Sequence, residues 1–222
     1  MSQLHTFTFN AFSEQTYLLD HGNGEATVFD PGMSTAEERE RFNRHCIGLG
    51  VKIVQCLLTH AHLDHVLGLA WVFDCWGVRP RLHPTDNLTW DQAPRAAELY
   101  GVPMDPLPSR GPDLEAHGSV VVCGGHRLEV RCAPGHSAGH VVFVHHERGW
   151  VIGGDVLFQG SVGRTDLPGG DGATLAKSIA EQLYTLPDSF EIWPGHGPST
   201  TVGAEKASNP YVNVGGTGML QR

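Results

Sequence analysis

Three imidazoles and one carboxylate fall within six residues, His60-Ala61-His62-Leu63-Asp64-His65, directly after the apolar run Val51–Leu58. A run of that length reads as a buried strand. Imidazole and carboxylate are ordinary ligands for zinc, iron and manganese, so a buried strand that ends in four such groups reads as half of a metal site. The rest of the chain is constrained by whether it brings the other half to the same place.

Three later segments repeat the pattern of an apolar strand, then Gly or Pro, then a ligand-type side chain. Leu128–Cys132 leads through Ala133-Pro134-Gly135 to His136, Trp150–Ile152 leads through Gly153-Gly154 to Asp155, and Phe190–Trp193 leads through Pro194-Gly195 to His196. Ends of buried strands are where α/β folds hold functional side chains, because the sheet fixes their position. His60, His62, Asp64, His65, His136, Asp155 and His196 suffice for two adjacent divalent ions. Each ion would have three or four protein ligands, one carboxylate would bridge, and a position would be left for water, which marks a catalytic site rather than a structural one. The donor set suits zinc, iron and manganese alike, zinc being the first expectation.

Around these segments the pattern predicts strands over Leu4–Phe9, Gln15–Asp20 and Ala26–Phe29, the last two forming a hairpin. Ser34 and Glu37 have capping-box spacing ahead of a helix that stops near Gly48 and Gly50. A helix is expected from Leu63 to Trp76, strands over 119–123, 126–132, 141–146 and 150–152, a helix over 173–186, and a short one over 202–208. Half of the 14 prolines lie between Pro80 and Pro112. That segment reads as an excursion (80–118) from one domain spanning 1–222, with only short helices near 85–100, and it is a candidate for shaping a pocket or a dimer contact. Strands that come first in pairs and then alternate with helices suit an α/β architecture of sheets covered by helices.

Composition narrows the functions. Fifteen Lys and Arg against 24 Asp and Glu give a net charge of −9, and no basic run occurs, which argues against nucleic-acid binding. The five cysteines form no CxxC, and four lie in or at the end of apolar segments as reduced core thiols. The first ten residues lack a secretory signal, and the longest apolar run, Val66–Phe73, is too short to span a bilayer. The expected protein is cytoplasmic, without membrane or nucleic-acid partners, and a monomer or homodimer. His5, His21, His45, His83, His117, His126, His145 and His146 read as ordinary surface or core histidines, and His140 as packing behind the site.

In order and spacing, THAHLDH (59–65), PGHSAGH (134–140), GGD (153–155) and PGHGP (194–198) resemble the motifs of the metallo-β-lactamase superfamily. Within it, residues 154–171, 194–200 and Glu205 with Asn209-Pro210-Tyr211 resemble the glyoxalase II group, most of all its short hydroxyacylglutathione hydrolase type. The resemblance implies an αββα sandwich of two mixed sheets flanked by helices. It also implies that His60, His62 and His136 hold one metal, that Asp64, His65 and His196 hold a second, and that Asp155 bridges. Asp64 and Asp155 would then share in catalysis. The implied reaction is hydrolysis of S-D-lactoylglutathione, a small-molecule thioester, to D-lactate and glutathione by hydroxide formed at the metals, which lower the pKa of water from 15.7 towards about 7.

Two features depart from the long glyoxalase II enzymes. Arg164 and Asp166 stand where those carry a lysine and a tyrosine near glutathione. The pair reads either as a substrate-binding element or as a salt-bridged turn. The chain also ends too soon after His196 for their helical C-terminal domain. The competing readings are a mononuclear iron persulfide dioxygenase using His60, His136 and Asp155, a hydrolase of another small thioester or ester, and a metal-stabilised scaffold without activity.

Overall fold

The computed structural model describes residues 3–114 and 117–212, so positions 115–116 of the proline-rich excursion lie outside the described residues. Strands β1 (Leu4–Phe9), β2 (Glu14–Asp20), β3 (Glu25–Phe29), β4 (Lys52–Leu57) and β5 (Pro80–Arg81) form one sheet in that order. β1 to β3 run antiparallel, and β3, β4 and β5 run parallel. The second sheet orders β13 (Thr200–Thr201), β12 (Glu191–Pro194), β9 (Trp150–Gly154), β8 (Val141–His145), β7 (His126–Cys132) and β6 (Val120–Cys123). Only β12 and β9 pair parallel there, so both sheets are mixed.

The core has three layers. Between the sheets, Tyr17, Leu19, Phe29 and Leu57 meet Leu128, Val130, Phe143 and Ile152. The outer face of the first sheet packs Phe42 and Cys46 of α1 (Ala36–Leu49) and Val72 of α3 (Leu69–Trp76). The outer face of the second sheet packs Leu175 of α5 (Gly172–Ser178), Ile179 and Leu183 of the π turn that extends it, and Val202 of α6 (Val202–Ser208). Alternate strand residues point to opposite faces, so each sheet buries both faces and the expected αββα sandwich results. All five cysteines are free, with Cys46, Cys56 and Cys123 buried. Among the described residues, no helix is long and apolar enough to cross a membrane.

Three local expectations are corrected. The capping box of α1 is Thr35 with Glu38, one residue later than Ser34 with Glu37. The Glu38 carboxylate takes the amides of Asn10, Ser34 and Thr35 together, which fixes it as the N3 residue. The helix expected over 63–76 is split into α2 (Leu63–Val66) and α3, because Gly68 N turns out to donate to Pro31 O at 2.7 Å. Among its described residues the excursion holds one 3₁₀ turn (Pro84–Asp86) that leads into a 14-residue helix, α4 (Asn87–Tyr100), with Pro94 inside it. The hydrogen bond that Pro94 cannot make is offset because Ala97, one turn later, is buried against Leu63 and Leu67. Short strands β5, β10 (Leu157–Phe158), β11 (Ser161–Val162) and β13 carry too few residues for a sequence pattern.

Candidate metal centre

The segments after β4, β7, β9 and β12 meet at one edge of the sandwich, so both sheets contribute to a single cluster. His60 Nε2 lies 3.2 Å from His136 Nε2, which lies 2.7 Å from His62 Nδ1. These spacings are on the order of those between ligands that each stand about 2 Å from one ion. A second set, Asp64, His65 and His196, also places ligand atoms within 4.8 Å of one another. His196 Nε2 is 3.1 Å from Asp64 Oδ2, and His65 Nε2 is 3.6 Å from the same oxygen. Asp155 belongs to both sets. Its Oδ1 is 3.4 Å from His65 Nε2, and its Oδ2 is 3.5 Å from His136 Nε2 and 3.4 Å from His196 Nε2. All seven residues expected from the sequence are thus brought together.

Backbone and buried side chains aim the rings. His136 Nδ1 donates to Arg164 O at 2.8 Å and His196 Nδ1 to Phe12 O at 3.0 Å, which leaves each Nε2 lone pair to the cluster. Asp30 accepts from Thr59 N and from Thr59 Oγ1, so that hydroxyl, its proton committed, accepts from His60 Nδ1 at 3.0 Å. Asp30 Oδ2 also lies 3.2 Å from His65 Nδ1. Asp30, His60 and His65 form a third compact group. Asp30 faces the His65 nitrogen that is turned away from Asp64 and Asp155, so its part is to orient that ring. His140 Nε2 accepts from Asp155 N at 3.0 Å, and its ring stacks on His60 at 4.7 Å.

The buried carboxylate of Asp86 locks the two halves. It accepts from Ala61 N at 2.7 Å, Gly139 N at 3.0 Å and Thr89 Oγ1 at 3.1 Å. Asn10 Nδ2 binds Gly32 O and Asp64 O. Space is tight where strands end: a Cβ on Gly195 would stand 2.0 Å from Asp155 Oδ1 and 2.8 Å from His65 Cε1. Asp30, Asp86, Glu14 and Asn10 escaped the sequence reading. Asp30 carried a signal, since Asp30-Pro31-Gly32 closes β3 as the other strand ends are closed, but its acid precedes the Pro-Gly rather than following it.

The charges fit cations. Burial, with His65 and His140 beside it, pushes His60 well below its ordinary value, and burial with His136 takes His62 down to about 3. Burial opposes charge on Asp155 too, yet His65 and His196 hold it well below the usual carboxylate range. Burial would lower His196, but its bonds to Asp155 and Asp64 outweigh that and raise it to about 10. Burial pushes Glu14, beneath His65, well up. Among the described residues, the buried His65 Nε2 and Asp155 Oδ1 have no hydrogen-bond partner, and both face the cluster. Orphaned donors and acceptors of this kind call for an ion. The residues fit two divalent metals.

Above the cluster lies a cleft of about 760 Å³, within the range of small-molecule sites. Its floor is His62, Asp64, His136, Asp155 and His196. One wall is α4, and the other is Phe158, Arg164, Leu167 and Pro168. The proline-rich excursion therefore shapes the pocket. Arg164 lines the cleft, but its Nε and Nη2 each bond Asp166 at 2.7 Å. The loop beneath is tied to the C-terminal segment, since Glu205 accepts from Gly160 N and Asn209 Nδ2 donates to Ser161 O.

A two-sheet sandwich carrying this seven-residue cluster at its edge defines a class of metal-dependent hydrolases. The chain belongs to the metallo-beta-lactamase superfamily, which it matches over residues 10–196. It is 37% identical over 210 residues to hydroxyacylglutathione hydrolase GloC of Haemophilus influenzae, covering 91% of this chain and 94% of that one. It is also 37% identical to the probable metallo-hydrolase YqgX of Bacillus subtilis, over 85% of this chain and 88% of the relative. Among solved structures, TTHA1623 in a di-iron-bound form superposes with a TM-score of 0.84 at 36% identity, covering 94% of this chain and 100% of the other.

Proposed function

We propose that the protein hydrolyses thioesters of the hydroxyacylglutathione type with two divalent metal ions, zinc first among them. One observation carries the reading: Asp155 touches ligand nitrogens of both three-residue groups within 3.5 Å, so two ions would share its carboxylate. That favours the two-metal hydrolase over an iron dioxygenase, which needs only His60, His136 and Asp155. The likeness to GloC over nearly the whole of both chains supports the substrate class.

His60, His62 and His136 would hold one ion, Asp64, His65 and His196 the other. Bound there, the metals would supply an activated water and polarise the thioester carbonyl. The chain does the rest. Asp64 and Asp155 both line the cleft, and Asp64 would be the carboxylate that takes up the proton released in hydrolysis. Asp155 is aimed by the His140 bond to its amide. No serine or cysteine lines the cleft among the described residues, and the hydroxyl of Thr89, which does line it, is committed to Asp86. A thiolate leaves without a strong acid, and none is provided.

The test is to count metals per purified chain and to assay S-D-lactoylglutathione cleavage beside oxygen uptake with glutathione persulfide. Two metals and thioester cleavage, both lost in His60→Ala, are expected. One iron with oxygen uptake would sink the proposal.

A further inference from the structure

The α4 wall of the cleft carries one charged side chain, Arg95, among Ala93, Ala96 and Leu99 and the uncharged polar Thr89, Gln92 and Tyr100. Gln92, Arg95 and Leu99 stand at i, i+3 and i+7 and all line the cleft, so they form one row along the helix. At its outer end Leu99 and Tyr100 are 81% and 51% exposed, and Tyr100 meets Phe12 edge-on at 5.9 Å. Large apolar side chains gathered in the open at one mouth mark a surface that a ligand covers.

Two guanidinium groups line this cleft, and they differ. Arg164 is closed off by its two bonds to Asp166. Arg95 has Asp91 four residues before it and Glu98 three after, the spacings at which helical ion pairs form. It pairs with neither, and among the described residues it makes no hydrogen bond, ion pair or ring contact. The acids on the cleft floor, Asp64 and Asp155, are engaged with His65, His136 and His196. Arg95 thus keeps its full donor fork for something that enters the cleft. A guanidinium whose fork is free recognises a carboxylate with two parallel bonds. On a chain of net charge −9, the charge of Arg95 also favours the approach of an anion to the cleft.

We infer that Arg95 is the specificity-determining residue of the cleft: it binds a carboxylate on the non-reacting part of the substrate, so the substrate class is anionic thioesters. The thioester half rests on the proposed function, whereas the carboxylate half rests on α4 alone. Arg164 and Asp166 satisfy each other and hold the facing loop.

The experiment compares wild type, R95A, R95E and R95K, metal-loaded. The substrates are S-D-lactoylglutathione and the uncharged S-lactoyl-N-acetylcysteamine, which presents the same acyl group. The ratio of kcat/KM, anionic over neutral, should fall about tenfold in R95A, chiefly through KM. It should fall further in R95E, and R95K should restore part of it. A helix that merely lost its fold would depress both substrates together. An unchanged ratio in R95A and R95E would overturn the inference. Calorimetric titration with glutathione gives a readout without turnover. Should neither thioester be cleaved, the proposed reaction falls alone, and glutathione binding that is lost in R95E upholds the carboxylate site. Equal binding by wild type and R95E, or none by either, refutes it.

Discussion

Replacing Asp86 by alanine tests whether the ligand loops are held from behind. The carboxylate is buried and takes Ala61 N, Gly139 N and Thr89 Oγ1 at 2.7, 3.0 and 3.1 Å. Asp86→Ala leaves two buried amides without an acceptor, at about 1–3 kcal/mol each. Thr89 can turn its hydroxyl and loses less. The expected loss is about 3–5 kcal/mol, which for a chain of this size lowers Tm by roughly 10 °C. Ala61 lies between His60 and His62, and Gly139 lies three residues after His136, so affinity for the ion those histidines would hold should drop about 10–100-fold, as when partners behind metal ligands are removed. Urea denaturation of chelated protein measures the first effect without metal linkage, and titration of the reloaded protein measures the second. Thr89→Val, which deletes one bond, should cost about 1 kcal/mol. An Asp86→Ala protein within about 1 kcal/mol of wild type and with undiminished metal affinity would show that the ligand loops are not held through Asp86.

Gly195→Ala puts a methyl 2.0 Å from Asp155 Oδ1, with His65 Cε1 closing the other side, so the shared carboxylate must move. A displacement near 1 Å costs about 100-fold in rate, read as kcat on the thioester with Tm as control; activity within threefold of wild type would show that the edge is looser than its geometry. Away from the cluster, His126 Nδ1 and His145 Nε2 are 2.9 Å apart and buried. Burial, then His126 and Arg148, takes His145 down to about 4, against Glu147, which favours the proton. The folded value is depressed, so stability is full above about pH 6.5 and declines as pH falls towards about 4. After solvent screening this amounts to about 1–2 kcal/mol. His145→Gln should flatten the wild-type loss of Tm between pH 6.5 and 4.5, and parallel curves would dismiss the pair as the cause.

The ligands were legible because each ligand segment follows a strand whose apolar run survives in one dimension. His136, Asp155 and His196 also carry a Gly or Pro ending before the ligand, whereas His60 is reached through Thr59 and is marked by the density of ligands in His60–His65. What aims them was not. Asp86 lies 26 residues from His60 in a proline-rich stretch and serves the site only because α4 folds back over it, which no local pattern announces. Asn10 and Glu14 act through the turn after β1, where their contacts are with Gly32, Asp64 and His65. The π turn after α5 and the split at Gly68 likewise depend on neighbours distant in sequence. The α4 helix was expected only as short pieces, because Pro94 dominates a propensity reading and the burial of Ala97 is invisible to it.

Asp86 also joins two parts of the site that serve different tasks. Its carboxylate closes the ligand loops, while its backbone stands at the N-terminus of α4, and Thr89 bonds it from the first turn of that helix. The metal cluster and the wall that reads the substrate therefore share one anchor. Beyond it the helix divides its faces: Ala97 packs inward on Leu63 and Leu67, while Gln92, Arg95 and Leu99 face the cleft. Substitutions in that outward row can change which molecule is held and leave the ligands in place. By contrast, a change at Asp86 disturbs the wall and the metals at once. Separable specificity on a fixed centre is what this arrangement permits, and Arg95 is where the present chain exercises it.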